Sequence, residues 1–265
     1  ENSMSPELVA ISELRKNQPE FRTDLMNVNI ALKNARENKG RVPLEWERDP
    51  DIGKTTPQLI ESRGFPVEIH HVTTKDGYIL ELHRIPKRLN STELSNPRRG
   101  SALLQHGLID SSSNWANNFQ DQSLAFRLHS NGIDVWMSNI RGNFYSNSST
   151  KFSPITNEFW NFTWDEHALI DIPAVVEYMT NVLESEGVNV KKDKIHYIGH
   201  SQGTTMAFAS FSHPSTKPYM DEHIASFTAL APVVFPENVG GLIRALAIIH
   251  FDKFVNLFGH GEFLL

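Results

Sequence analysis

Short apolar runs separated by polar turns divide the chain into predicted strands and helices. Residues 67–72 and 78–85 form two such runs, and Asp76-Gly77 between them is a strong hairpin signal. Residues 102–108 and 133–137 are more continuously apolar, which is typical of strands that are buried on both faces. The sheet is therefore predicted to begin as an antiparallel hairpin and to continue with buried strands.

Helices are predicted between the later strands. One lies near residues 124–129, and a longer helix follows Asp171. The core-facing stripe of the longer helix consists of Ile172, Val175, Val176, Met179 and Leu183. A further strand is predicted at residues 224–231. Because strands and helices alternate, the pattern predicts an α/β fold with a mostly parallel sheet.

The two ends of the chain differ from this central region. Residues 1–52 are mainly polar and charged, and we expect them to form an N-terminal extension of uncertain order. Residues 53–235 carry the signals of one α/β core, which a chain of 265 residues can accommodate as a single domain. Residues 236–265 are apolar in a helical pattern, with no predicted strand beneath them. We therefore predict three regions.

The strongest chemical signal is Gly199-x-Ser201-x-Gly203, which lies between a strand-like run and a helix-compatible run. This is the nucleophile-elbow pattern, and it requires a strand before it and a helix after it. Glycines two residues before and after the serine let the strand and helix approach each other around a strained turn. The pattern predicts Ser201 as a nucleophile. The backbone N–H of Gln202 then lies at a helix N-terminus and can stabilise a developing oxyanion.

Composition narrows the range of functions. The formal net charge of -6 gives no basic surface for nucleic acid. The chain contains no cysteine, which excludes disulfides, thiolate metal sites and a cysteine nucleophile within it. No apolar run approaches the roughly 18 residues of a membrane span. We predict no nucleic-acid partner, no transmembrane segment, no cofactor and no metal.

Three N-x-[ST] tripeptides, at Asn90, Asn147 and Asn161, are candidate glycosylation sites. They are compatible with a secreted or lumenal protein. The chain opens at Glu1 without an apolar signal core, so we expect that any signal peptide is not present in this chain.

Several separated motifs resemble those of one known family. In chain order they are Leu104-Gln105-His106-Gly107-Leu108, Ser113-Asn114-Trp115, Asp134-Val135-Trp136-Met137, Asn139-Ile140-Arg141-Gly142-Asn143, Phe159-Trp160-Asn161-Phe162-Thr163-Trp164-Asp165-Glu166, Asp171-Ile172-Pro173-Ala174 and Gly199-His200-Ser201-Gln202-Gly203-Thr204-Thr205. From about residue 53 onward the chain is similar to the acid lipases, the gastric and lysosomal acid lipase group of α/β-hydrolases. Position 140 departs from that family, which usually has Ser where this chain has Ile.

The resemblance implies an α/β-hydrolase fold and a serine ester hydrolase that cleaves triacylglycerols or cholesteryl esters at a lipid–water interface. It implies an acyl-enzyme at Ser201, with the backbone N–H groups of Leu108 and Gln202 as the oxyanion hole. Secretion or a lysosomal location is implied as well, and the oligomeric state stays open. We do not expect His106 to be the base, because the triad order in this fold is Ser, acid, His. His106 is better interpreted as shaping the oxyanion loop.

That order also requires an acid and a histidine after Ser201, and only one convincing strand follows the elbow. The downstream candidates are Asp221, Asp252, His213, His223, His250 and His260. We expect none of them to be catalytic, and predict that the acid and the histidine lie beyond Leu265 in a longer lipase. The sheet would then be truncated before its last strands, and residues 236–265 would begin a helical cap. Residues 1–265 alone are predicted to have little esterase activity.

Two alternative functions are compatible with the same residues. The first is a hydrolase with another substrate, such as a peptidase or a hydrolase of small esters or thioesters, because the elbow does not distinguish these reactions. The second is a non-catalytic hydrolase-like protein that binds lipid or a partner. An acyl-chain-length series tests the first alternative, and fluorophosphonate labelling of Ser201 tests the second.

Overall fold

The computed structural model of the protein describes residues 50–89 and 97–234. The predicted cap at residues 236–265 lies outside the described residues, as do Asn90 and the N-terminal extension up to residue 49. In the described part of the chain, no helix is both long and apolar enough to cross a bilayer.

The strands are β1 (Glu68–Thr73), β2 (Tyr78–Ile85), β3 (Gly100–Gln105), β4 (Ile133–Ser138), β5 (Ser148–Ser149), β6 (Ile195–His200) and β7 (Ile224–Leu230). The α-helices are α1 (Thr56–Ser62), α2 (Leu124–Ser130), α3 (Trp164–Glu166), α4 (Ile172–Ser185), α5 (Gln202–Ser212) and α6 (Lys217–His223). A 3₁₀ turn spans Ser112–Trp115, and a π-helical turn at His167–Asp171 joins α3 to α4.

These strands form one sheet in the order β1-β2-β4-β3-β6-β7, with β5 paired to β2. β1 and β2 are an antiparallel hairpin, and β2 also runs antiparallel to β4. From β4 onward, each neighbouring pair of strands is parallel. The carboxyl ends of β3, β6 and β7 therefore meet at one edge, where open α/β sheets bind their ligands. The predicted α/β fold with an antiparallel N-terminal hairpin is confirmed.

Helices pack on both faces of the sheet because alternate residues of a strand point to opposite faces. On one face, Leu103, Trp136 and Tyr197 pack with the apolar stripe of α4. On the other face, Leu104 and Met137 belong to a second core with residues of α1 and α2. The stripe predicted for α4 is buried at all five of its positions. Two apolar layers thus hold the parallel strands and fix where those strands end.

A proline lies at the start of the short helix that follows α5. The chain begins α6 at Lys217, and Pro218 is its second residue. Pro218 lies in the first turn of α6, where a helix has no hydrogen-bond partner for a backbone N–H. Proline therefore starts this helix and does not break it.

We expect Leu183→Ala to lower the free energy of unfolding by about 2–4 kcal/mol, because Leu183 is fully buried and its loss leaves a cavity. The matched control is Ile155→Ala, since Ile155 is 78% exposed and its loss should change stability by less than about 0.5 kcal/mol. Urea denaturation of the two variants measures both values. Equal losses would contradict the assignment of the core.

Candidate active site

Ser201 joins β6 to α5 in a backbone conformation that few residues adopt. Its φ is 51° and its ψ is -118°, a combination that costs on the order of 1–3 kcal/mol for a residue other than glycine. Its N–H donates to the carbonyl of Leu230 at 3.0 Å, and its carbonyl accepts the N–H of Thr204 at 2.9 Å. These bonds tie the strained residue to the end of β7 and to the first turn of α5.

Positive φ values recur at the neighbouring strand ends. Among the described residues other than glycine, φ is positive at Ile109 (50°), Ser201 (51°) and Ala231 (47°). Ile109 lies in the loop after β3, and Ala231 directly follows β7. Such strain persists only where the surrounding structure enforces it, and it concentrates at functional sites. The carboxyl edge of the sheet is therefore the candidate active site.

Gly199 and Gly203 allow the backbones of β6, α5 and β3 to approach closely. A Cβ on Gly199 would lie 2.7 Å from the carbonyl oxygen of Gly203. A Cβ on Gly203 would lie 2.5 Å from the carbonyl oxygen of Gln105. Both contacts involve backbone atoms that cannot move independently of their strands, so both positions require glycine. The sequence predicted the contact between strand and helix, and the structure adds the contact between α5 and β3.

The loop after β3 passes directly beside the elbow. A Cβ on Gly107 would lie 3.1 Å from the Cβ of Ser201 and 3.3 Å from Nδ1 of His200. Leu108 follows, with 56% of its surface exposed. The structure thus brings Leu108 to the same strand edge as Ser201 and Gln202. These are the three residues predicted to carry the chemistry.

His106 is buried behind this loop, and both of its ring nitrogens are engaged away from Ser201. Its Nδ1 lies 2.8 Å from the carbonyl oxygen of Gly107, and its Nε2 lies 3.4 Å from the backbone nitrogen of Ile140. Burial lowers the pKa of the imidazole to about 4. This geometry agrees with the expectation that His106 shapes the loop and is not the base.

The other histidines and acids predicted after Ser201 lie elsewhere. His213 follows α5, which begins at the elbow and is 11 residues long, so about 16 Å separates the two ends. His223 ends α6 and bonds through Nδ1 to the carbonyl of Tyr219 at 2.8 Å. Asp221 pairs with Lys217 on the same helix. The remaining candidates lie outside the described residues: Asp252, His250 and His260.

Ser201 Oγ forms no hydrogen bond with any residue in the ranges 50–89 and 97–234. Across the same ranges, no group of three or more histidine, aspartate or glutamate side chains is placed to hold a metal ion. The described site consists of a strained serine and backbone donors.

A second serine, histidine and carboxylate set lies on β2 and the 3₁₀ turn. Ser112 Oγ is 2.8 Å from Nδ1 of His83, and Nε2 of His83 is 2.7 Å from Oε1 of Glu81. Ser112 and His83 are both fully buried, and Ser112 Oγ also bonds Thr56 Oγ1 at 3.1 Å. No substrate can reach this serine, so the set is a structural link between β2 and the loop after β3.

Sequence reasoning missed the turn after β4 as part of the site. Asn139 accepts the N–H of Ser112 at 2.9 Å, and Asn143 reaches His106. Arg141, which stands between them in the sequence, is buried and pairs with Asp171 and Asp76. These residues belong to the motif Asn139-Ile140-Arg141-Gly142-Asn143, whose local sequence does not indicate a contact with the loop after β3. The positive φ of Gly142, 82°, is the local signal of a tight turn that could have drawn attention to it.

His167 is buried on the π-helical turn, and neither of its ring nitrogens has a hydrogen-bond partner among the described residues. Burial, followed by the positive charge of Arg141, lowers the pKa of His167 to about 4. An unfolded histidine has a pKa near 6.5 and takes up a proton at higher pH than this one. His167 therefore contributes stability that is fully present above pH 6.5 and is lost as the pH falls toward 4.

The free energy of unfolding is expected to decrease as the pH is lowered from about 6.5 to 4. We expect His167→Leu to make this decrease smaller by up to about 3 kcal/mol. The slope is measured by urea denaturation at several pH values. The control is Ile155→Ala, which changes an exposed side chain without a titratable group and should leave the slope unchanged. An equal slope in His167→Leu and the unsubstituted protein would contradict the neutral state of the buried imidazole.

Comparison with known proteins agrees with this architecture. A family model described as "Partial alpha/beta-hydrolase lipase region" matches residues 56–119, and one described as "alpha/beta hydrolase fold" matches residues 103–251. The second model covers more than half of the chain. It includes the end of β3, all of β6 and β7, and the elbow.

Curated relatives with similar sequences are lipases. Lipase lipl-1 of Caenorhabditis elegans is 41% identical over 221 residues, which are 82% of this chain and 52% of that protein. The gastric triacylglycerol lipase of Rattus norvegicus is 39% identical over 216 residues, with the same two coverages. Lipase member K of Homo sapiens is 43% identical over 215 residues, 81% of this chain and 51% of that protein. The chain spans about half the length of these lipases. It belongs to the α/β-hydrolase family, and these relatives of it are lipases.

Proposed function

We propose that the whole protein is a serine ester hydrolase of lipids, which cleaves triacylglycerols or cholesteryl esters through an acyl-enzyme at Ser201. The observation that carries the proposal is the strained conformation of Ser201, with φ 51°, beside the backbone of Gly107. The strained backbone of Ser201 does not stabilise the fold. A nucleophilic serine at a strand-to-helix turn requires this conformation, because it exposes the hydroxyl to a substrate.

In the proposed reaction, Ser201 Oγ attacks the ester carbonyl and its proton passes to a histidine. The tetrahedral oxyanion accepts hydrogen bonds from the backbone N–H groups of Leu108 and Gln202. Each donor of this kind contributes roughly 3–4 kcal/mol of transition-state stabilisation. The histidine then protonates the leaving alcohol, and water hydrolyses the acyl-enzyme to release the fatty acid and restore Ser201.

The triad acid and the histidine are proposed to lie in the part of the whole protein that this chain does not span. Ser201 Oγ has no hydrogen-bond partner in the described ranges, and the chain corresponds to about half the length of its lipase relatives. In the α/β-hydrolase order, both residues follow the serine.

Apolar side chains near Ser201 support a substrate with acyl chains. Leu108 and Ile109 follow the Gly107 loop and are 56% and 72% exposed. Leu230, whose carbonyl accepts the N–H of Ser201, also exposes part of its side chain. Exposed apolar residues that gather at one site favour contact with an apolar ligand or with the surface of a lipid phase.

We further propose that the whole protein is secreted or lysosomal and is glycosylated at Asn161. Asn161 is exposed and begins a complete acceptor tripeptide. Asn147 is less suitable, because its side chain is partly buried and its Oδ1 is shielded from solvent. Mass spectrometry of the protein expressed in a secretory pathway tests glycosylation at each asparagine.

We expect a fluorophosphonate probe to label Ser201 in the whole protein and expect Ser201→Ala to lose both the label and esterase turnover. Loss of a triad member typically costs a factor of about 10⁴–10⁶ in turnover. The matched control is Ser185→Ala, which removes an exposed serine from the end of α4 and should change neither result.

The same experiment separates the alternatives. An unlabelled Ser201 in folded protein would contradict the proposal and would favour a hydrolase-like protein that binds lipid or a partner. Ser201 could instead be labelled while an acyl-chain-length series shows turnover only of short esters or thioesters. That result would contradict the lipid substrate but not the assignment as a serine hydrolase.

Residues 1–265 alone are expected to hydrolyse p-nitrophenyl esters at a rate lower than that of the whole protein by a factor of about 10⁴ or more, because the triad acid and histidine are proposed to lie outside this chain. Turnover is measured by release of p-nitrophenol from matched concentrations of the two proteins. Rapid turnover by residues 1–265 that disappears in Ser201→Ala would show that a histidine of this chain serves as the base.

A further inference from the structure

Asn143, in the turn after β4, uses every hydrogen-bonding group of its side-chain amide. Its Oδ1 accepts the backbone N–H groups of Tyr145 at 3.1 Å and Ser146 at 3.0 Å. Its Nδ2 donates to Oδ1 of Asn139 at 2.9 Å and lies 3.3 Å from Nε2 of His106. Because two N–H donors converge on Oδ1, the amide can have only one orientation. The amino group of Asn143 therefore faces the imidazole.

The imidazole of His106 is consequently restricted to one tautomer. Two donors face its Nε2, the amino group of Asn143 and the backbone N–H of Ile140, so Nε2 must be an unprotonated acceptor. The proton of the neutral ring then lies on Nδ1, which donates to the carbonyl oxygen of Gly107 at 2.8 Å. A neutral ring with this tautomer satisfies all three contacts, and an imidazolium does not.

The carbonyl of Gly107 shares one peptide plane with the N–H of Leu108. That peptide is trans, so its C=O and N–H point in opposite directions within a rigid plane. A group that holds the carbonyl oxygen thereby sets the direction of the N–H. Gly107 lies so close to Ser201 that a Cβ on Gly107 would be 3.1 Å from the Cβ of Ser201. A rotation of this peptide would therefore change the geometry beside Ser201.

We propose that Asn143 is a positioning residue for ester hydrolysis: its amino group holds His106 in the Nδ1–H tautomer, and His106 in turn aims the N–H of Leu108 at the oxyanion. This inference rests on the proposed function. Asn143 itself touches neither the substrate nor Ser201. Nδ2 of Asn143 also lies 3.5 Å from the carbonyl oxygen of Asp110, but its two hydrogens are directed to the nearer acceptors, Oδ1 of Asn139 and Nε2 of His106.

The groups around His106 explain why this imidazole is neutral. Burial is the largest cause of its lowered pKa. The hydrogen bond to Gly107 and the charge of Asp110 act in the opposite direction, and His200 lowers the pKa further. His106 in turn lowers the pKa of the neighbouring buried imidazole of His167. An added negative charge facing Nε2 would oppose these effects directly.

The test is Asn143→Asp in the whole protein, a change of nearly equal size that replaces the amino donor with an acceptor. We expect Nε2 of His106 to gain a proton and the pKa of His106 to rise by more than about one unit. ¹⁵N NMR of protein with labelled histidine measures both, with the His106 signals assigned by their loss in His106→Gln. We also expect kcat for an ester substrate to fall about 10²-fold, with KM changed by less than about twofold.

The control is Asn157→Asp, which adds the same charge at an exposed position and should alter neither the His106 signals nor kcat. A protonated Nε2 in the unsubstituted protein at neutral pH would overturn the inference, and this measurement does not require the variant to fold. Unchanged kcat in a folded Asn143→Asp variant would also overturn it. If the proposed function itself were wrong, the unsubstituted protein would fail to react with fluorophosphonate, which distinguishes the two failures.

Discussion

The close approach of three backbones at Ser201 is the constraint on which the rest of the site depends. Gly203 lets α5 touch the end of β3, and Gly199 lets β6 turn sharply into α5. Ser201 accommodates both contacts by adopting a positive φ. The free-energy cost of that conformation is met by the two buried cores on the faces of the sheet, which hold β3, β6 and β7 in fixed positions.

A polar layer beneath the loop after β3 fixes the remaining geometry. Arg141 is buried against the ring of Tyr78 at 4.1 Å and pairs with Asp171 and Asp76. A buried ion pair contributes little net stability over an apolar replacement, but the loss of one partner is costly. The turn after β4 is thereby held in one position, and its two asparagines support the loop that carries Leu108. Apolar packing places the strands, and hydrogen bonding orients single peptides between them.

The sequence allowed the prediction of those features that depend on local pattern. The hairpin, the buried strands, the stripe of α4 and the elbow each follow from periodicity or from a short motif, and β7 was predicted to within one residue. The contacts of Asn143 with His106 and of Arg141 with Asp171 join residues 37 and 30 positions apart. No local sequence pattern encodes a contact between residues so far apart in the chain. The tautomer of His106 depends on two such contacts, with Asn143 and with Ile140. The π-helical turn at His167–Asp171 was also missed, because its apolar residues fit an ordinary helix.

The central claim is that Ser201 and the backbone N–H groups of Leu108 and Gln202 act on one ester carbonyl. The most direct measurement is a crystal structure of the whole protein with a phosphonate bound covalently to Ser201 Oγ, because its phosphoryl oxygen occupies the place of the oxyanion. We predict that this oxygen lies about 2.7–3.1 Å from both backbone nitrogens. A phosphoryl oxygen that points away from Leu108 and bonds to solvent or to another group would contradict the account.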